Sequence, residues 1–169
     1  MFAPNRRIER REDIIDTVGK AFKVDRRYTF EHYEEEEMFL EGTGSMLFDR
    51  NNKIVYACLS ERTDARLIDK FCVLVDYRRV VFHAVDRSDL PIYHTNVMMA
   101  LGEDFAVVCK ESIRIQAEWE ELEYALTHTG KEIVEITYDQ MGAFAGNMLQ
   151  VKNEMGDTFL IMSMTAYNS

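Results

Sequence analysis

The sequence predicts an α/β fold assembled from repeated strand–strand–helix–strand (ββαβ) units, and two observations carry that reading. Related segments recur every 51 residues: Gly44-Ser45-Met46-Leu47, Thr95-Asn96-Val97-Met98 and Gly146-Asn147-Met148-Leu149. A fixed period of this size marks a unit that buries its apolar face only against its neighbours. Each segment also opens an apolar run that meets a second run across a turn, the pattern of a β-hairpin. The turns are Asp49-Arg50-Asn51-Asn52, Gly102-Glu103-Asp104 and Asn153-Glu154-Met155-Gly156, and the second runs are Ile54–Leu59, Phe105–Lys110 and Thr158–Met164.

Taken in chain order, a helix is expected over Glu12–Phe22, where Ile14, Ile15, Val18 and Phe22 fall at helical spacing, and then a strand over Tyr28–Tyr33. The first hairpin leads into a helix capped at Thr63-Asp64, with Leu67, Ile68, Phe71, Cys72 and Val75 on one face. A strand returns over Arg79–Val85. The second hairpin leads into a helix carrying Trp119, Leu122, Ala125 and Leu126, which ends near Gly130, and a strand follows over Glu132–Tyr138. Ile68 and Trp119, Phe71 and Leu122, and Val75 and Leu126 repeat the 51-residue interval. The third hairpin, Gly146–Tyr167, has no helix after it. One domain is therefore expected over 1–169: a half unit at 1–40, units at 41–91 and 92–142, and a half unit at 143–169. Neither end looks capped.

Composition narrows the function. The 169 residues carry 30 acidic and 20 basic side chains, a net charge of −10, which argues against a nucleic-acid partner. Arg6, Arg7, Arg10 and Arg11 are interleaved with Glu9, Glu12 and Asp13 and read as a helix start. With 47% hydrophobic residues the chain can fill a core, yet runs such as Ala106–Cys109 and Phe159–Met162 are too short to span a bilayer. Three cysteines without C-x-x-C spacing argue against a disulfide framework and a zinc site, and the start of the chain lacks the apolar stretch of a secretory signal. A cytoplasmic location is expected. No phosphate-loop or Rossmann spacing occurs, so neither a cofactor nor a metal is expected.

Residues with catalytic chemistry gather where the hairpins begin. Glu41 stands beside Gly42 and Gly44, and His94 follows one period later. Thr43, His94 and Ala145 share one register, so an acid and a histidine are expected to face one cavity, the minimum for general acid–base work. Phe39-Leu40-Glu41-Gly42-Thr43-Gly44-Ser45, Leu59-Ser60-Glu61-Arg62-Thr63-Asp64, Tyr93-His94-Thr95-Asn96-Val97-Met98-Met99 and Phe144-Ala145-Gly146-Asn147-Met148-Leu149 resemble the guanidino-group-modifying (pentein) superfamily. Within it they are most similar to citrulline-utilisation hydrolases and amidinotransferase-like proteins, over essentially the whole chain.

The resemblance implies a partial pentein, an α/β propeller of which about three ββαβ units are in hand. It also implies a cysteine thiolate that attacks the carbon of a guanidinium or ureido group, and a small amino-acid substrate such as citrulline or arginine. By motif match Glu41 is the acid that partners the histidine and contacts the guanidinium side, and His94 is the general acid/base. Asn96 stands where many members have an Asp, and a neutral amide suits a ureido group. Arg62 matches a carboxylate-binding arginine. The departure is the nucleophile: the Gly-rich segment that ends in Cys is absent, so the chain is read as a fragment without turnover of its own. The rival reading is a non-catalytic pentein-like binding or oligomerisation module.

The remaining candidates have plainer explanations. Cys58 and Cys109 share a register with Leu160, which marks packed core, and Cys72 lies on an apolar helix face. His83 is expected inside a strand and His128 at a helix end, where an imidazolium favours the negative dipole. His32 has no motif around it. Glu31 and Glu34–Glu37 read as a solvated loop, and Met98, Met99, Met162 and Met164 as strand core. The uncovered apolar faces of the Ile14/Val18/Phe22 helix and the last hairpin predict a homodimer or higher homo-oligomer, with closure within one chain as the alternative.

Overall fold

The computed structural model describes residues 1–169. A 3-10 helix (Pro4–Glu9) precedes helix α1 (Glu12–Ala21), and a second 3-10 helix covers Glu31–Glu36. Then come a single helical turn α2 (Gly42–Ser45), strands β1 (Leu47–Asp49) and β2 (Ile54–Cys58), helix α3 (Ala65–Val75) and strand β3 (Arg78–Phe82). The same succession is repeated: turn α4 (Thr95–Met98), β4 (Met99–Leu101), β5 (Phe105–Val108), a 3-10 turn (Lys110–Ser112), α5 (Gln116–His128) and β6 (Glu132–Glu135). The chain closes with α6 (Tyr138–Gly142), β7 (Leu149–Lys152), β8 (Thr158–Ile161) and α7 (Met164–Tyr167).

The strands form sheets β1-β2-β3, β4-β5-β6 and β7-β8. In each three-stranded sheet the first pair is antiparallel and the last strand runs parallel to the middle one, which requires the intervening helix as a crossover. Helix α3 starts where Asp64 accepts a hydrogen bond from the Arg66 amide, the N-cap chemistry expected there. The main core joins both three-stranded sheets: Ile54, Tyr56 and Phe82 from the first pack with Met98, Met99, Trp119, Leu122 and Leu126 around the second. No helix is long and apolar enough to cross a membrane.

Several expectations are corrected. No strand occupies Tyr28–Tyr33: Glu31–Glu36 form a 3-10 helix, and Tyr28 and Phe30 line a groove with Leu40, Phe71 and Leu74. The segments beginning at Gly44 and Thr95 are helical turns rather than strand, and strand pairing starts only at Leu47 and Met99. The strand expected to Tyr138 stops at Glu135, because Thr137 and Gln140 form a capping box that starts α6. His83 lies just past β3, where its amide and ring meet Glu118 of α5. Leu160 is 39% and Met164 70% exposed, since no helix covers β7–β8. Glu34 is not a solvated loop residue: its half-buried carboxylate takes Arg7, Arg10 and the Met1 amino group.

Candidate active site

Glu41 and His94 reach the site through the two short helical turns. Each is the N-cap residue of its turn, Glu41 of α2 and His94 of α4, and neither side chain caps its own helix. Both are therefore free to face each other. His94 Nε2–H donates to Glu41 Oε2 at 2.8 Å, with the two side chains 13% and 4% exposed. The approach depends on Gly44, because a Cβ there would lie 2.8 Å from His94 Nδ1 and 3.0 Å from Cε1. Gly146 allows a similar approach nearby, its missing Cβ standing 2.3 Å from the Val97 carbonyl oxygen.

A buried polar layer behind the pair fixes the two turns. Ser45 Oγ accepts from the Glu41 amide at 3.2 Å and donates to the Arg62 carbonyl at 3.1 Å. Thr95 Oγ1 donates to the Ser45 carbonyl at 2.5 Å and accepts from the Cys58 amide at 2.8 Å, which ties the second turn to the first sheet. Both residues are fully buried. The sequence reading missed Ser45 and Thr95. Their signal was a hydroxyl inside each otherwise apolar hairpin start, beside the candidate acid and histidine.

Arg62 lies beside the pair, its NH1 3.9 Å from Glu41 Oε2. Its guanidinium sits 4.7 Å from the Tyr93 ring and 5.9 Å from the Phe2 ring, and its buried Nε has no hydrogen-bond partner. Asn96 comes two residues after His94 on α4, and its side chain forms no hydrogen bond to Glu41, His94 or Arg62. The structure thus brings Glu41, His94 and Arg62 into one cluster and leaves Asn96 at its margin.

The electrostatics set the protonation states. Burial pulls the His94 imidazole below its ordinary value; Glu41 opposes this, while Arg62 and Arg6 reinforce it. Burial alone would raise the Glu41 carboxyl, but the Phe2 amide, His94 and Arg62 outweigh it and hold the group below the usual carboxylate range. At neutral pH the pair is a carboxylate facing a neutral imidazole, poised to take up a proton.

The three cysteines lie elsewhere in chemistry. Burial pushes the Cys58 thiol up to about 12 and Cys109 up to about 11, and raises Cys72 as well. Cys58 Sγ donates to the Ile92 carbonyl at 3.5 Å. Neutral buried thiols of this kind are poor nucleophiles.

The paired ββαβ sheets thus hold an acid and a histidine in contact between them. The fold is similar to the arginine dihydrolase ArgZ of cyanobacteria, with a TM-score of 0.55 and 18% identity over 66% of this chain and 17% of that one. Its N-terminal domain, solved in a substituted form bound to substrate and also bound to product, matches at a TM-score of 0.53 and 20% identity over 65% of this chain. The chain spans 39% of the substrate-bound domain and 38% of the product-bound one. The model of the family described as N,N dimethylarginine dimethylhydrolase, eukaryotic, matches residues 1–169, and the chain belongs to that family. No match is found among curated proteins.

Proposed function

We propose that this chain carries the acid–histidine half of a hydrolase site for an amino acid with a guanidinium or ureido head group. The 2.8 Å contact between Glu41 and His94, residues 53 apart in sequence, is the observation that carries the reading. His94 moves the proton between nucleophile and leaving nitrogen, and Glu41 holds the imidazole and balances the charge it gains. Arg62, whose guanidinium keeps an unpartnered Nε, is the cation that would face the substrate carboxylate. Asn96 suits a neutral ureido group, so citrulline is favoured over arginine. In the family a thiolate forms the covalent intermediate; none of Cys58, Cys72 and Cys109 is suited to it.

The chain alone therefore binds such a substrate without turning it over. Titration of the labelled protein with citrulline and with arginine tests this: a shift at His94 that vanishes in Arg62→Ala supports the reading. Ammonia release by the chain, abolished in His94→Ala, would overturn the claim of no turnover. A second reading, a non-catalytic pentein-like binding or oligomerisation module, is favoured by those buried thiols and by the apolar faces left open. Ile14 of α1, Phe22 just past its end, and Leu149, Phe159 and Ile161 of the β7–β8 hairpin are 51–70% exposed. A two-stranded sheet is marginal by itself, so helix α1 of a second copy laid on the hairpin makes a homodimer. Light scattering that gives one species near 20 kDa at all concentrations would exclude it.

A further inference from the structure

The Glu41 carboxylate has two oxygens, and His94 uses only Oε2. Oε1 accepts a hydrogen bond from the main-chain N–H of Phe2 at 2.9 Å, from a segment 39 residues away. Phe2 is held there by its own side chain and by contacts made further along the chain. Its ring meets Phe39 edge-on at 5.5 Å and lies beneath the Arg62 guanidinium. Downstream, Arg7 Nε reaches Glu34 Oε2 at 3.1 Å, and Arg10 pairs with the other oxygen. None of the residues Pro4–Glu9 is buried, so this segment is a strap fastened at Phe2 and at Glu34.

We propose that Phe2 is a positioning residue of the site, whose main-chain N–H caps Glu41 Oε1 and so commits the carboxylate, through Oε2, to His94. This rests on the proposed role of Glu41 as the acid of the site, and adds the group that orients it. A carboxylate free at one oxygen can rotate or turn to a competing donor. Arg62, Arg6 and the Met1 amino group all act on Glu41 as cations and would draw it away from the neutral imidazole. With both oxygens engaged the carboxylate has one orientation.

Proline at position 2 removes the N–H and alanine keeps it, so the two substitutions separate the amide from the ring. In protein carrying carbon-13 at the glutamate side-chain carboxyls, the Glu41 titration is followed by NMR in both variants. A third variant, Glu34→Gln, loosens the far fastening. Fluorescence of the single tryptophan, Trp119, reports whether the core is intact. The expected result is an upward shift of the Glu41 titration in Phe2→Pro and smaller upward shifts in Glu34→Gln and Phe2→Ala, each of which loosens one fastening but keeps the N–H. A Glu41 titration unchanged in Phe2→Pro and Glu34→Gln, or moved as far in Phe2→Ala as in Phe2→Pro, would overturn the proposal. The readout needs neither ligand nor turnover, so absence of citrulline binding would count against the proposed function and leave this result standing.

Discussion

Two acid–base pairs bridge the same two sheets, one at each end of the hairpins. Glu41 and His94 meet where the hairpins begin. Asp49, the last residue of β1, meets Lys131, just before β6, with Oδ2 and Nζ 2.8 Å apart and both side chains 3% exposed. At the turn end both charges have further partners: Asp49 also accepts from the Asn52 amide and side chain, and Lys131 donates to the Glu103 carbonyl at 3.1 Å. At the mouth end Arg62 Nε lacks a partner and the Asn96 side chain makes no contact with the pair. A sealed, satisfied pair fixes how two units sit together, whereas an incompletely satisfied one retains capacity for a ligand.

The contrast breaks most sharply at the sealed end. Asp49→Ala leaves the Lys131 ammonium buried beside one carbonyl, and unfolding in urea should show a loss of about 3–5 kcal/mol. Replacing both partners, as Asp49→Ala with Lys131→Met, should recover most of that, since no buried charge is then stranded. Gly44→Ala strikes the mouth end. The new Cβ forces the His94 ring off Glu41, so the hydrogen-bonded Nε2–H resonance should disappear at a stability cost of about 1–3 kcal/mol.

Charge alone is tested by Glu41→Gln. Glu41 is the group that raises His94 against burial, so its neutralisation should move the His94 titration further down, as read by imidazole NMR. The pH dependence of stability obeys the same signs. His94 is depressed in the folded state, so the unfolded chain binds its proton first, and stability should fall as pH drops through the ordinary imidazole range. Glu41 and Asp49 are also depressed, and their contribution is present above the ordinary carboxylate range and lost as pH falls through it. Urea midpoints against pH should therefore decline in two stages, the lower one blunted in the Asp49→Ala and Lys131→Met double variant. The smallest effect belongs to Asn96→Ala, which should alter stability by less than about 0.5 kcal/mol and leave the His94 titration in place, its cost confined to ligand binding.

Much of this was legible in the sequence. Asp64 as an N-cap, the Leu67/Ile68/Cys72 face and the Trp119/Leu122/Leu126 face follow from spacing, because helical periodicity and capping are local. The turn residues Asp49–Asn52 and Gly102–Asp104 likewise announce their hairpins. The nearness of Glu41 to His94 could be expected because Glu41 lies two residues before Thr43, which shares the register of His94, so both stand where a hairpin begins. Sequence alone thus determined the hairpin–helix–strand succession of residues 47–82 and 99–135 and the acid–histidine candidates.

Tertiary structure decided what depends on partners distant in the chain. The run from Tyr28 to Tyr33 looked like a strand, yet from Glu31 the backbone closes into a 3-10 helix, and the Tyr28 and Phe30 rings line a groove. Leu160 shares a register with buried Cys58 and Cys109 but stands exposed, because burial is a property of what covers a strand and not of the strand. The Phe2 amide on Glu41 and the Asp49–Lys131 pair left no pattern at all: a main-chain N–H is carried by nearly every residue, and surface-type charges reveal their burial only once two sheets close over them.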